Sequence, residues 1–288
     1  MDIVTHPSLA PLSIGRVALA VRNPEAVGAF YRDVVGLVPL GKGEEGALYG
    51  TPDTPLLELV HRPNAQPDDP REAGLFHTAF LLPDRESLAE WAAEIGVRRQ
   101  VPLEGASDHI VSEAFYLSDP EGNGVEIYAD RPSSAWTWRD GAVEMATKPL
   151  DTNSLFAEVD LSEPLWDGAP EGTTVGHIHL RVGDLKDSDG FYLGDAGFEL
   201  ATTYPGAHFL STGHYHHHVG TNVWRSAGSG LRGNRTGLLW FEVLDRRADA
   251  SARVLTDPWG TELRYTPAKQ DNPGVDGMTY EDKARGEW

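Results

Sequence analysis

The apolar and polar positions alternate at three places, and each looks like a fresh start of the same unit. Residues 16–37 read RVALAVRNPEAVGAFYRDVVGL, residues 77–97 read HTAFLLPDRESLAEWAAEIGV, and residues 177–198 read HIHLRVGDLKDSDGFYLGDAGF. Each opens on a run with the period of two that marks a half-buried strand. A turn or capping residue follows, at Asn23-Pro24, Asp84 and Asp184. Apolar residues then recur at spacings of three and four, as in Val27, Phe30, Tyr31 and Val34, or Leu88, Trp91, Ala92 and Ile95, which predicts a helix. An aromatic falls fourteen residues after each opening residue, at Phe30, Trp91 and Phe191. Gly36, Gly96 and Gly197 stand where a left-handed helix cap is expected.

The units also close alike. TPLLELVHRP (54–63) and DPEGNGVEIYADRP (119–132) are each a turn followed by a strand carrying a glutamate, Glu58 or Glu126, then a basic residue and proline. LLWFEVLD (238–245) and DPWGTELRY (257–265) read as the opening and closing strands of a fourth copy, with too few residues between them for a helix and further strands. The expected class is therefore α+β: four tandem βαβββ modules, the last shortened, forming two curved mixed sheets flanked by helices. Residues 1–130 would hold two modules (12–63 and 75–130), 131–176 a linker with a short capped helix near Thr152, 177–266 the third and the shortened fourth module, and 267–288 a polar arm.

Composition narrows the function. The 288 residues include no cysteine, which removes disulfides, zinc ribbons and thiol nucleophiles and suits a reducing cytoplasm. No apolar run is long enough to span a membrane, and the N-terminus lacks a signal-peptide pattern. A net charge of −20 argues against nucleic acid or an anionic membrane as partner. A homo-oligomer is left open. The stretch GHYHHHVG (213–220) places four histidines within five residues, His214, His216, His217 and His218. Alone, it fits a metal site, one ligand among bystanders, or a polar strand.

HIHLRVGDL…FY…AGF and FYLSDPEGNGVEIY resemble the vicinal oxygen chelate superfamily, which holds glyoxalase I, extradiol ring-cleaving dioxygenases and bleomycin-resistance proteins. GASDHIVSEAFYLSDPEGNGVEIYADRP and GHYHHHVGTNVW are most similar to its catechol 2,3-dioxygenase branch. The resemblance implies paired modules whose concave sheet holds a divalent metal, with ligands from the first residue of an opening strand and from a closing strand. Carried over by spacing, the slots are Arg16 and Glu58, His77 and Glu126, His177 and His217, and Leu238 and Arg264. The plausible ligands concentrate in modules two and three, so pairing of those two is expected, with pairing of one with two and three with four as the alternative.

His77, Glu126 and His177 form the implied metal triad, and His217 is either a fourth ligand or a nearby acid/base. Two imidazoles and a carboxylate suit Fe(II), with Mn, Zn or Ni as alternatives. If the histidine-rich stretch is a regular strand, Tyr215 shares the face of His217, and a one-residue slip would substitute His216 or His218. His109 and Tyr116 resemble the catalytic histidine and tyrosine that precede the glutamate ligand in extradiol enzymes. The implied activity is ring cleavage of a catechol-like aromatic diol with O2. The competing readings are a glyoxalase-type isomerase or lyase, which needs four ligands, and a non-catalytic small-molecule binding protein. Glu58 beside Arg16 reads as part of an ion pair or of a solvated edge.

Overall fold

The computed structural model describes residues 6–162 and 165–268. Most of the expected C-terminal arm, from residue 269 on, lies outside the described residues. The first unit runs β1 (Leu12–Val21), α1 (Pro24–Phe30), β2 (Val38–Lys42), β3 (Ala47–Thr51) and β4 (Thr54–His61). The second runs β5 (Gly74–Leu81), α2 (Arg85–Trp91), β6 (Gly105–Asp108), β7 (Ser112–Ser118) and β8 (Gly124–Asp130). A short hairpin, β9 (Trp138–Arg139) and β10 (Ala142–Val143), and helix α3 (Thr152–Phe156) occupy the connecting segment. Then come β11 (Thr174–Arg181), α4 (Leu185–Asp189), β12 (Glu199–Tyr204), β13 (Ala207–Ser211) and β14 (Val219–Asn222). The last unit is β15 (Gly237–Asp245), β16 (Arg253–Thr256) and β17 (Glu262–Pro267). It has no helix, as its length demands, but it keeps one strand, β16, between the opening and closing strands.

The helices begin where the sequence caps them. The side chains of Asn23, Asp84, Asp151 and Asp184 each accept a backbone N–H of the first turn, of Ala26, Ser87, Ser154, and Lys186 and Asp187 respectively. Gly36 and Gly197 take φ of +90° and +86°, the left-handed conformation expected of a cap. Gly96 does not. The second helix runs on through a π-helical stretch to Arg98, and Gln100 takes the positive φ instead, at 53°. Of the aromatics shared by the three helices, Trp91 and Phe191 are buried and Phe30 packs half-buried against the core; Trp91 donates its indole N–H to Val34 O at 2.8 Å, tying the first two helices together.

Two mixed sheets result. One has seven strands in the order β16-β17-β15-β1-β4-β3-β2 and the other eight, β12-β13-β14-β11-β5-β8-β7-β6. Each is built on the same plan. Two opening strands run antiparallel at its centre, β1 with β15 and β5 with β11. Each opening strand has its own closing strand parallel on its outer side, β4, β17, β8 and β14. The eight-stranded sheet thus joins the second and third units, and the seven-stranded sheet joins the first and fourth. Among the described residues, no helix is long and apolar enough to cross a membrane.

Candidate metal centre

The register of the eight-stranded sheet decides which side chains meet. Across its centre His177 lies opposite Ala79, and His179 opposite His77. On the outer sides, Glu126 lies opposite Ala79, two residues after His77, and Gly220 lies opposite His179, two residues after His177. Because side chains alternate along a strand, His77, Ala79, Glu126, His177 and His179 share one face. His77, Glu126 and His177 are all buried, and each offers a ligand atom within 4.8 Å of the other two. Nε2 of His77 and Nε2 of His177 both approach the same oxygen, Glu126 Oε2, at 2.9 and 3.2 Å.

That convergence is suited to a shared cation. His77 Nε2 makes no aligned hydrogen bond despite its closeness to the carboxylate, and His177 Nδ1 is also buried without a partner. Buried polar atoms rarely remain unsatisfied. Two imidazoles and a carboxylate, with an open cavity before them, make a donor set that fits a divalent metal. Burial opposes the charge on Glu126, but His177 and His77 outweigh it and hold the carboxyl well below its ordinary range. Burial lowers His177 from 6.5 to about 4, even with Glu126 pulling upward, so its ring is neutral and able to ligate at neutral pH. A depressed imidazole pKa means the unfolded chain takes the proton first. Metal-free protein is therefore expected to be most stable above pH 6.5 and to weaken as pH falls through about 4, as read by urea midpoints. A midpoint that does not move across this window would contradict the assignment of a neutral buried His177.

A cavity of about 280 Å³ opens over these residues. His109, Tyr116, His179 and His217 line it, with Phe76, Phe209 and Trp224 among its apolar walls. His109 sits at the tip between β6 and β7 rather than within a strand. Its Nδ1 is 2.8 Å from Ala146 O, which fixes Nδ1 as the N–H donor, and its Nε2 is 2.7 Å from the Tyr116 hydroxyl. Burial, and then the charge of Glu126, push that hydroxyl well above its usual pKa, so Tyr116 keeps its proton and donates it to His109.

The histidine-rich stretch is not a strand. β14 starts only at Val219, and His214 takes φ +58°. Strict alternation therefore fails over residues 213–218. His217 lines the cavity, its ring centroid 4.0 Å from that of His177, but it lies outside the triad. Tyr215 does not share its face. It is wholly buried beside Val111, Trp136, Val143 and Ala201, and its hydroxyl is 2.9 Å from that of Tyr128. His216 bonds to Asp130 and to His217, and His218 turns back to Ser211 and Pro7 O.

His217 falls three residues short of the true counterpart of Glu126. The position opposite His179 is Gly220, where an added Cβ would sit 2.9 Å from the His179 ring. His179 itself goes unremarked in the sequence reading, although its place two residues after His177 puts it on the same face. Its Nε2 is 3.1 Å from Asn222 Nδ2, and burial holds it neutral, well below 6.5. Met145, Ala146 and Thr147, from the segment read only as a linker, also line the cavity.

The seven-stranded sheet carries the same slots with other contents. Glu58 lies opposite Ala18, two residues after Arg16, and Arg264 lies opposite Glu242, two residues after Trp240. Trp240, not Leu238, therefore matches His177. Arg16 pairs with the buried Glu58 at 3.3 Å, Glu58 Oε1 accepts the N–H of Glu45 and Gly46, and Arg16 and Arg264 both stack on the Trp240 ring. Salt bridges and cation–π contacts fill the place that the other sheet gives to ligands.

Comparison with known proteins agrees with this geometry. Residues 13–127 match the glyoxalase/bleomycin resistance protein/dioxygenase superfamily. The chain is 39% identical over 237 residues to catechol-2,3-dioxygenase of Bacillus subtilis, covering 80% of this chain and 82% of that protein. It is 29% identical over 128 residues to biphenyl-2,3-diol 1,2-dioxygenase 2 of Rhodococcus globerulus, covering 42% of this chain and 64% of that one. Among solved structures, glyoxalase I from Zea mays has the same fold, with a TM-score of 0.52 at 14% identity, over 89% of this chain and 92% of that one. The relatives named here by sequence are dioxygenases, which are oxidoreductases. On these matches, the chain belongs to the glyoxalase/bleomycin resistance protein/dioxygenase superfamily.

Proposed function

We infer that the protein is an extradiol dioxygenase that opens a catechol-like ring with O2, using Fe(II) held by His77, Glu126 and His177. One observation carries the choice within the superfamily. The slot that would complete a four-ligand set is Gly220, which has no side chain to offer. An isomerase of the glyoxalase type needs four ligands. A set of three leaves positions on the metal open for a diol and for oxygen. The named relatives in Bacillus and Rhodococcus support the same class. A binding protein would need no converging triad, and a cavity of about 280 Å³ lies at the small end of ligand pockets, which favours a single ring.

A bound divalent metal would supply Lewis-acid and one-electron chemistry to the diol and oxygen. The chain's own groups do the rest. Phe76, Phe209 and Trp224 give the ring an apolar berth and exclude water. His217, neutral and on the cavity wall, accepts a proton from a substrate hydroxyl. Tyr116, its proton donated to His109 Nε2, offers the same space a hydroxyl oxygen that accepts a hydrogen bond, and the proton taken up by His217 is returned from it later in the reaction.

The test is oxygen uptake by iron-loaded protein on a panel of monocyclic catechols. The reading requires one O2 consumed per ring opened. Isomerisation of a hemithioacetal without oxygen uptake would replace it with the glyoxalase reading.

A further inference from the structure

Of the four histidines in GHYHHHVG, His216 has no part in the site described so far, yet it is wholly buried and bonded at both ring nitrogens. Its Nε2 is 2.8 Å from Asp130 Oδ1, and its Nδ1 is 2.7 Å from His217 Nδ1. Trp136 and Tyr215 pack on its ring, with centroids at 5.1 and 4.1 Å, so it cannot flip without displacing them. Asp130 ends β8, four residues after Glu126, and its side chain is partly open to solvent.

These contacts limit where the protons sit. A carboxylate only accepts, so His216 Nε2 carries the hydrogen. With its single hydrogen on Nε2, His216 has a bare Nδ1 that accepts from His217 Nδ1–H, whereas a hydrogen on both His216 nitrogens would reverse this bond and leave His217 protonated at Nε2, the outcome the experiment below counts against the proposal. In the first case His217 keeps a bare Nε2, the nitrogen left for the cavity that His217 lines. Without the Asp130–His216 pair, nothing in this set of contacts selects that tautomer.

We propose that Asp130 and His216 are positioning residues that hold His217 in the tautomer whose unprotonated Nε2 faces the cavity. They act on His217 and do not touch the reacting atoms. The catalytic consequence rests on the dioxygenase reading. The tautomer itself does not.

The experiment uses the full chain with ring-15N-labelled histidine, metal-stripped, and reads nitrogen protonation by two-bond 15N–1H correlation. The His217 signals are assigned by their loss in His217→Gln. Wild type should show Nδ1 protonated and Nε2 bare. His216→Phe keeps the aromatic packing but removes the acceptor, and should shift His217 toward the Nε2–H form. His216→Gln keeps an acceptor oxygen and should largely restore the wild-type pattern. In iron-loaded protein, His216→Phe should lose about 10–100-fold in kcat with KM little changed, and His216→Gln should recover most of it.

A wild-type His217 protonated at Nε2 overturns the proposal, as does a His216→Phe protein that loses activity with its tautomer unchanged. If His216→Phe does not fold, Asp130→Leu is read in the same way, and an unaltered tautomer there also overturns it. The expected tautomers with no diol consumed would uphold the positioning role while removing the dioxygenase reading.

Discussion

His177→Ala is expected to take bound metal from near one equivalent per chain to near none, and oxygen uptake with it. The reason lies in how the triad is assembled. His77 and Glu126 come from neighbouring parallel strands of one unit, whereas His177 comes across the antiparallel centre from another. His177 is therefore the one ligand that ties the metal to the second half of the sheet. Without it, one imidazole and one carboxylate remain, too few to hold a divalent ion against water in a site this open. A metal contributes several kcal/mol to such chemistry, so turnover should fall by about a thousandfold or more. His177→Gln preserves most of the buried volume and separates loss of ligation from loss of packing. It should also lose the metal. Metal content retained in both variants, measured on protein with native near-ultraviolet circular dichroism, would remove His177 from the ligand set.

The second large effect is expected at His217, with the opposite division. His217→Asn should keep its metal and lose about 10²–10⁴-fold in kcat, the range of a general acid–base group. The ring lies against His177 but outside the three groups that share a ligand distance, and one of its nitrogens is already committed to His216. Burial, followed by the neighbouring His177 and His216, holds it neutral, as a base must be. If His217→Asn loses metal in step with activity, His217 is a fourth ligand, and the isomerase reading gains what the dioxygenase reading loses.

Much of this architecture is legible in the chain because the repeats expose it. An opening strand, a capped helix and a closing strand recur with similar spacing, and the ligand slots that the family resemblance implies, laid on two of these units, single out His77, Glu126 and His177. The failures have physical causes. Spacing places His217 opposite Glu126 only if the closing segments are equal in length, but residues 213–218 form an irregular turn, and the counterpart of Glu126 is Gly220. The same irregularity defeats strand alternation, so Tyr215 enters the core and His217 alone reaches the cavity. Leu238 gives way to Trp240 because strand pairing, not the first apolar residue, sets the register. The contribution of residues 145–147 to the cavity could not be read from local pattern at all. It follows from the connecting segment folding back, with Lys148 pairing with Asp108 and the Ala146 carbonyl facing His109.

Metal content of wild-type protein, purified without oxygen or added metal and measured by mass spectrometry, tests the central claim most directly. Near one iron per chain is the expected result. A chain that carries no metal and takes up none on reconstitution would contradict the assignment of His77, Glu126 and His177 as ligands.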